Sequence, residues 1–67
     1  MNKIKVIRNK LGLSVYKIAE LTGLTPSYIN NLENGYKTNP TKDVMDKIAT
    51  ALGQTVPEIF YPDERED

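Results

Sequence analysis

Residues 14–35, SVYKIAELTGLTPSYINNLENG, decide how this chain folds. The stretch predicts two short helices joined by a tight turn at Gly23, which ends the first helix by adopting a positive φ. Ser14 is suited to cap the first helix. Thr25 is suited to cap the second, and Pro26 fits its first turn, where the missing backbone N–H would be unpaired in any case.

The second of these helices has two edges of different chemistry. Ile29 and Leu32 are predicted to point inward, and the dipeptide at residues 34–35, Asn-Gly, is a strong stop signal. The polar residues of this segment are Thr25, Ser27, Asn30 and Asn31. A short helix with one apolar edge and one hydrogen-bonding edge is suited to reading base edges in DNA.

Apolar spacing predicts the remaining helices. A stripe at i, i+3 and i+7 indicates a helix over about residues 2–11, formed by Ile4, Ile7 and Leu11. Thr41 is predicted to cap a fourth helix, whose wide apolar face consists of Val44, Met45, Ile48, Ala49 and Leu52. A last helical turn or two is expected over residues 56–61, stopped by Pro62. We therefore predict an all-α domain of five short helices at residues 1–61, followed by an acidic, flexible tail at residues 62–67.

The composition excludes several functions. A chain of 67 residues has room for one domain and no large catalytic cleft. It contains no cysteine or histidine, so disulfides, a thiolate zinc site and the commonest general base are all absent. No nucleophile–base pair or metal-ligand set is visible, and we expect neither an enzyme nor a cofactor. No signal peptide or membrane span is recognisable, which makes a cytoplasmic protein the default expectation.

The neutral net charge hides an asymmetry along the chain. Residues 1–57 carry eight Lys and Arg against four Asp and Glu, whereas residues 58–67 carry five acidic residues against one arginine. A basic body with an acidic end is a mild indication of an anionic partner. Ordinary surface charge is an equally good explanation of this pattern.

Taken in order, these segments resemble the lambda-repressor and Cro type, or XRE, family of helix-turn-helix proteins. The resemblance rests on L-S-x-x-x-I-A-x-x-T-G-L-T-x-S-Y-I-x-x-L-E-N-G, followed by N-P-T, I-A-x-A-L-G and E-I-F, and it covers about residues 2–61. It implies a five-helix domain whose third helix, at about residues 26–34, lies in the major groove of DNA. It also implies a two-fold dimer with two such helices about 34 Å apart.

By position, the resemblance implies base contacts from the third helix. The residues concerned are Pro26, Ser27 and Asn31, with Asn30 and Thr25 as neighbouring candidates. Asn pairs best with adenine, whereas Ser and Thr bond to several bases. The alternative is that these are solvated helix residues without a partner. For Pro26, starting the helix is the preferred role.

The resemblance implies phosphate contacts at the start of the second helix and around the loop after the third. The candidates are Tyr16, Lys17, Tyr28, Asn34, Tyr36, Lys37 and Thr38. Val15 stands where many family members have Gln, and valine has no side-chain donor to offer. The alternative for Lys17 and Lys37 is an ordinary surface lysine, and the alternative for Tyr28 is core packing.

Two further sets of residues match structural positions of the family. Arg8 and Glu33 correspond to an ion pair that ties the first helix to the end of the third. The C-terminal apolar residues correspond to a dimer interface, for which Phe60, Tyr61 and Ile59 are the candidates. The alternative is that this cluster closes the chain's own core, which we expect above all for Val56 and Ile59.

The leading hypothesis is a sequence-specific DNA-binding transcriptional regulator. The resemblance favours a small repressor that binds an inverted-repeat operator as a homodimer, with double-stranded DNA as its partner and no membrane or small-molecule substrate. The alternative on the same fold is an antitoxin, a restriction-modification controller or a protein-binding module.

Overall fold

The computed structural model describes residues 2–62, which contain five helices and no strand. The helices are α1 (Ile4–Lys10), α2 (Val15–Thr22), α3 (Pro26–Glu33), α4 (Lys42–Leu52) and α5 (Val56–Phe60). The predicted all-α architecture of five short helices is confirmed. Of the predicted acidic tail only Pro62 lies in the described range, and residues 63–67 lie outside it.

One apolar core joins all five helices. Its fully inaccessible large side chains are Ile4, Ile18, Ile29, Leu32, Ile48 and Ile59. Burying a side chain of this size stabilises the fold by about 1.5–3 kcal/mol. Ala19, Ala49 and Leu52 complete the same core. The inward edge predicted for α3 is confirmed. The face predicted for α4 lies against the core except at Met45, which is half-buried and outside the cluster.

The first helix differs from its predicted pattern at one residue. Leu11 was expected on the buried stripe, but it is 52% exposed. The helix ends at Lys10, and Leu11 forms its C-cap instead of a further helical turn. The position four residues after Ile4, which faces the core, is occupied by Arg8, which is buried.

Side-chain caps begin four of the helices. Ser14, Thr25 and Thr41 each accept a hydrogen bond from a backbone N–H three residues later, as predicted. A fourth cap, at Thr55, was not predicted. Its hydroxyl accepts from the Glu58 N–H at 3.3 Å, and the Glu58 carboxylate accepts from the Thr55 N–H at 2.8 Å. This reciprocal pair is a capping box, and its T-x-x-E spacing was visible in the sequence.

The turn between α2 and α3 is held by Gly23 and Thr22. Gly23 has φ of +77°, and its N–H donates to the Ala19 carbonyl at 2.8 Å. The buried Thr22 hydroxyl donates to the Ile18 carbonyl at 2.8 Å and accepts from the Leu24 N–H at 3.2 Å. The turn is therefore stabilised from both sides, which sets the angle at which α3 leaves α2.

The start of the chain is hydrogen-bonded to two distant segments. The Lys3 N–H donates to the Ile59 carbonyl at 2.8 Å. The Asn2 side-chain amide donates to the Leu32 carbonyl at 2.8 Å, and its oxygen accepts from the Ile4 N–H. These bonds tie residues 2–3 to the last turn of α3 and to α5.

We predict that Gly23→Ala lowers the free energy of unfolding by about 1–2 kcal/mol, since an L-residue pays that amount for left-handed geometry. A methyl group at this position would meet no atom within 4 Å, so steric overlap adds nothing. Urea unfolding followed by circular dichroism measures the change. Gly23→Asn is the matched control and should cost less, because Asn tolerates positive φ. Equal stability of all three proteins would contradict the prediction.

Candidate nucleic-acid interface

Helix α3 buries one edge and exposes the other. Ile29 and Leu32 are fully buried, whereas Ser27 and Asn30 are exposed and Asn31 is half-buried. The three polar residues are spaced at i, i+3 and i+4, so they share one face of the helix. The structure thus brings together three of the five predicted base-contact residues as one surface patch.

The other two predicted base-contact residues, Thr25 and Pro26, have structural roles at the start of α3. The Thr25 hydroxyl accepts from the Tyr28 N–H at 3.1 Å, which leaves its own proton available for an outside acceptor. Pro26 is half-buried in the first turn of the helix. The expectation that Pro26 chiefly starts the helix agrees with this placement.

Asn31 has a backbone role that the sequence did not reveal. Its carbonyl oxygen accepts from the Tyr36 N–H at 2.9 Å and from the Lys37 N–H at 3.2 Å. The loop after α3 is therefore fastened to the same residue whose side chain lies on the polar face. The predicted phosphate contacts of this loop are therefore positioned by a residue that is itself a predicted base contact.

Arg8 and Glu33 form the predicted ion pair in a bidentate arrangement. Arg8 Nε lies 2.7 Å from Glu33 Oε2, and Arg8 Nη2 lies 3.1 Å from Glu33 Oε1. Arg8 Nη1 also donates to the Leu13 carbonyl at 2.9 Å. The two side chains are 11% and 2% exposed. One buried guanidinium thus links α1, the α1–α2 turn and the end of α3.

The ion pair affects the protonation of Arg8. The hydrogen bonds that Arg8 donates to Glu33 raise the pKa of Arg8, burial lowers it, and the negative charge of Glu33 raises it further, so the net change is a rise. A basic group whose pKa is raised by folding contributes stability below its unfolded pKa and loses it only as pH rises through the folded value. For arginine both lie far above neutral pH, so this contribution is constant in the physiological range.

The start of α2 presents two of the predicted phosphate contacts. Tyr16 is 74% exposed, and the Lys17 ammonium lies 3.2 Å from the carboxylate of Glu20. Both partners of this pair are largely exposed, so it contributes less than about 1 kcal/mol. Val15 is half-buried and packs against the core, which accounts for an apolar residue at this position.

The loop after α3 presents the other predicted phosphate contacts. Asn34, Lys37 and Thr38 are exposed, and Tyr36 is 80% exposed. The Lys37 ammonium lies 5.8 Å from the centroid of the Tyr28 ring. A cation held over an aromatic face at an exposed site is stabilised by about 0.5–1 kcal/mol. Tyr28 therefore packs against the core and also holds Lys37 near α3.

The C-terminal cluster divides between core and surface. Ile59 is fully buried within the chain, so its prediction as a dimer contact is wrong and the alternative, closure of the core, is right. Phe60 is half-buried, and Tyr61 is 43% exposed with its hydroxyl 3.7 Å from the sulfur of Met45. Of the three candidates for a dimer contact, Phe60 and Tyr61 are accessible at the surface.

Other kinds of site are not found in the part of the chain that the structure describes. Residues 2–62 contain no cluster of His, Cys, Asp or Glu able to hold a metal ion. Within the same residues, no helix is long and apolar enough to cross a membrane.

A family model described as helix-turn-helix matches residues 4–59, from the first residue of α1 to the next-to-last residue of α5. The chain belongs to the helix-turn-helix family. The resemblance to the lambda-repressor and Cro type is thereby confirmed. This membership points to a DNA-binding protein without enzymatic activity.

The chain is similar to several curated regulators. It is 32% identical over 54 residues to the HTH-type transcriptional regulator SinR of Bacillus subtilis, covering 81% of this chain and 49% of that protein. It is 30% identical over 57 residues to SlrR of the same organism, covering 85% of this chain and 38% of that one. It is 34% identical over 65 residues to PuuR of Escherichia coli, covering 97% of this chain and 35% of that protein. The chain spans half or less of the length of these relatives.

We predict that Arg8→Met lowers the free energy of unfolding by about 3–5 kcal/mol, because it leaves the Glu33 carboxylate buried without its partner. Urea unfolding followed by circular dichroism measures this loss. Lys17→Met is the matched control, since it removes an exposed ion pair, and should change stability by no more than about 1 kcal/mol. Equal losses in the free energy of unfolding for the two substitutions would show that the buried ion pair contributes no more to stability than the exposed one.

Proposed function

We propose that this chain is a sequence-specific DNA-binding transcriptional regulator that inserts α3 into the major groove. One observation carries the proposal: the exposed Ser27 and Asn30 and the half-buried Asn31 form a polar patch on a helix whose opposite edge is buried in the core. The family membership and the regulators to which the chain is similar support the same function. A helix of this diameter fits the major groove, where every base pair shows a distinct pattern.

The roles within the patch follow from side-chain chemistry. Asn30 and Asn31 each carry one amide, which can donate to N7 and accept from N6 of an adenine. The amide of Asn31 is short and half-buried, so a bridging water completes its reach to a base. Ser27, with Thr25 and Pro26 beside it, contacts bases near the N-terminus of α3.

The phosphate contacts flank the patch on two sides. Tyr16 and Lys17 lie in the first turn of α2, where free backbone N–H groups and the helix dipole favour an anion. Lys17 can exchange its weak pair with Glu20 for a phosphate. On the other side, the loop after α3 offers Asn34, Tyr36, Lys37 and Thr38, with the Tyr28 hydroxyl next to them.

Regulation by such a protein works through occupancy. Two copies on an inverted repeat place their α3 helices one DNA turn apart, and the bound dimer represses by blocking RNA polymerase. Phe60 and Tyr61 form the contact between copies. Because this surface is small, the dimer assembles mainly on DNA, in the cytoplasm.

Selection of bound DNA from a random pool is the direct test. An inverted repeat with half-sites one helical turn apart would support the proposal and give the dimer geometry. A mobility shift on genomic fragments, with excess non-specific DNA, supplements it. Retention of no fragment even at low salt would overturn the proposal and favour a protein-binding role on the same fold.

We predict that Asn31→Ala relaxes sequence preference at one adenine of each half-site, with a loss of about 1–3 kcal/mol in discrimination against other bases. Repeating the selection with the variant measures this loss. The backbone bonds to the Asn31 carbonyl survive the substitution, so the loop stays fastened. Asn9→Ala on the exposed side of α1 is the control and should leave the selected sequence unchanged.

We predict that Lys37→Gln weakens binding to all sequences alike and makes the slope of log K against log salt shallower by about 0.9, the value for one phosphate contact. Titration of labelled operator at several salt concentrations measures the slope. Lys10→Gln, in the last turn of α1, removes the same charge elsewhere and should leave the slope nearly unchanged. Identical slopes for both variants would contradict a contact from Lys37.

A further inference from the structure

The dipeptide Asn34-Gly35 at the end of α3 has a chemistry of its own. In an asparagine followed by glycine, the glycine nitrogen can attack the side-chain amide carbon, because no side chain on glycine hinders the approach. It is the only such dipeptide in the chain. We propose that Asn34 is a site of spontaneous deamidation, which converts it into aspartate or isoaspartate and so ages the DNA-contact surface.

The local structure leaves both reacting groups accessible. Asn34 is the C-cap of α3, and both Asn34 and Gly35 are exposed to solvent. Within residues 2–62 the Asn34 side-chain amide has no hydrogen-bond partner that would hold it away from the backbone. Gly35, with φ of +82°, begins the exposed loop at residues 35–39, which the Tyr36 and Lys37 N–H groups hold to the Asn31 carbonyl.

The attacking nitrogen is only weakly held. The Gly35 N–H donates to the Leu32 carbonyl at 3.3 Å, which is longer than the usual range for such bonds. The same carbonyl accepts from the Asn2 side-chain amide at 2.8 Å. Releasing Gly35 therefore leaves the Leu32 oxygen satisfied, and the penalty for an unpaired carbonyl is avoided.

The reaction is balanced without an oxidant or a catalyst. The Gly35 nitrogen forms a bond to Asn34 Cγ, the bond from Cγ to Nδ2 breaks, and ammonia leaves with the proton from Gly35. Water then opens the resulting five-membered imide at either carbonyl. One opening yields aspartate, and the other yields isoaspartate, in which the backbone runs through the side chain.

Other asparagines in the described part of the chain are less suited to this reaction. Asn39 is also exposed, but Pro40 follows it, and a proline nitrogen has no hydrogen to lose. Asn30 and Asn31 lie inside α3, where the helix restrains the backbone. Asn39 thus serves as an internal control that is also exposed.

The consequence for binding rests on the proposed function. Deamidation adds a negative charge at the C-terminus of α3, where the helix dipole already disfavours anions. The new carboxylate stands within three residues of Lys37, in the loop that meets phosphates in our proposal. Isoaspartate also lengthens the backbone by one carbon at the point where the loop is fastened to Asn31.

The first experiment tests the chemistry alone. The full chain is incubated at mildly alkaline pH, and isoaspartate is quantified by enzymatic methyl labelling and by peptide mapping. Conversion at Asn34 that is at least tenfold faster than at Asn39, and no labelling of this peptide in Asn34→Gln, would support the proposal. Equal rates at Asn34 and Asn39, or an unmodified Asn34, would overturn it.

The second experiment tests the consequence for DNA. Asn34→Asp should bind the selected operator roughly tenfold more weakly at low salt, because its carboxylate repels nearby phosphates. Incubated wild-type protein should lose affinity in step with conversion, whereas Asn34→Gln should retain its starting affinity. Complete deamidation of Asn34 with unchanged affinity for the operator would overturn the inferred effect on DNA binding. Fresh protein that binds no DNA would contradict the proposed function, while the peptide map still decides the chemistry.

Discussion

The buried ion pair between Arg8 and Glu33 is the interaction on which the placement of α3 depends. Glu33 is the last residue of that helix, and Arg8 comes from the first helix of the chain. All three guanidinium nitrogens have acceptors, two on the carboxylate and one on the Leu13 carbonyl. Removing two charges from water is costly, and a fully bonded pair roughly offsets that cost. Its main effect is therefore geometric, since it joins the end of α3 to α1 and to the turn after α1.

A helix as short as α3 needs that constraint. It has eight residues, which is too few to be stable alone in water. Its start is set by the Thr25 cap and the turn at Gly23, its middle by Ile29 and Leu32 in the core, and its end by the ion pair. The exposed face consequently has a defined orientation before any partner binds. The loss of conformational entropy that orders this helix occurs on folding and is not repeated on binding.

Local features of the sequence were sufficient to predict much of this arrangement. The caps at Ser14, Thr25 and Thr41 and the positive φ of Gly23 depend on residues within one helical turn. The error at Leu11 arose because spacing alone does not show where a helix ends. The capping box of Thr55 and Glu58 is equally local, because its T-x-x-E spacing is visible in the sequence, although it was not predicted. Ile59 could be assigned to the core or to an interface, and only tertiary packing decides between them.

Contacts between distant segments could not be predicted by these means. The bond from Asn2 to the Leu32 carbonyl joins residues far apart in the chain, and their proximity follows from the complete fold. The anchoring of the loop on the Asn31 carbonyl is instead local, because the left-handed Gly35 turns the chain back toward the end of α3. The placement of Lys37 over Tyr28 depends on that turn. The ion pair was anticipated only because both residue types matched a family position. The contacts that we propose with DNA therefore rest on few residues, and their positions depend on the rest of the chain.

The hydrogen bond from Lys3 to Ile59 makes the two ends of the domain neighbours. The path of the backbone is thus nearly a closed ring, although the chain is linear. A short linker could join the ends, and new termini could then be opened in an exposed loop without separating any pair of packed helices, as circular permutation requires. The order in which the helices are synthesised would change, while the polar face of α3 and the helices packed against α3 would keep their positions.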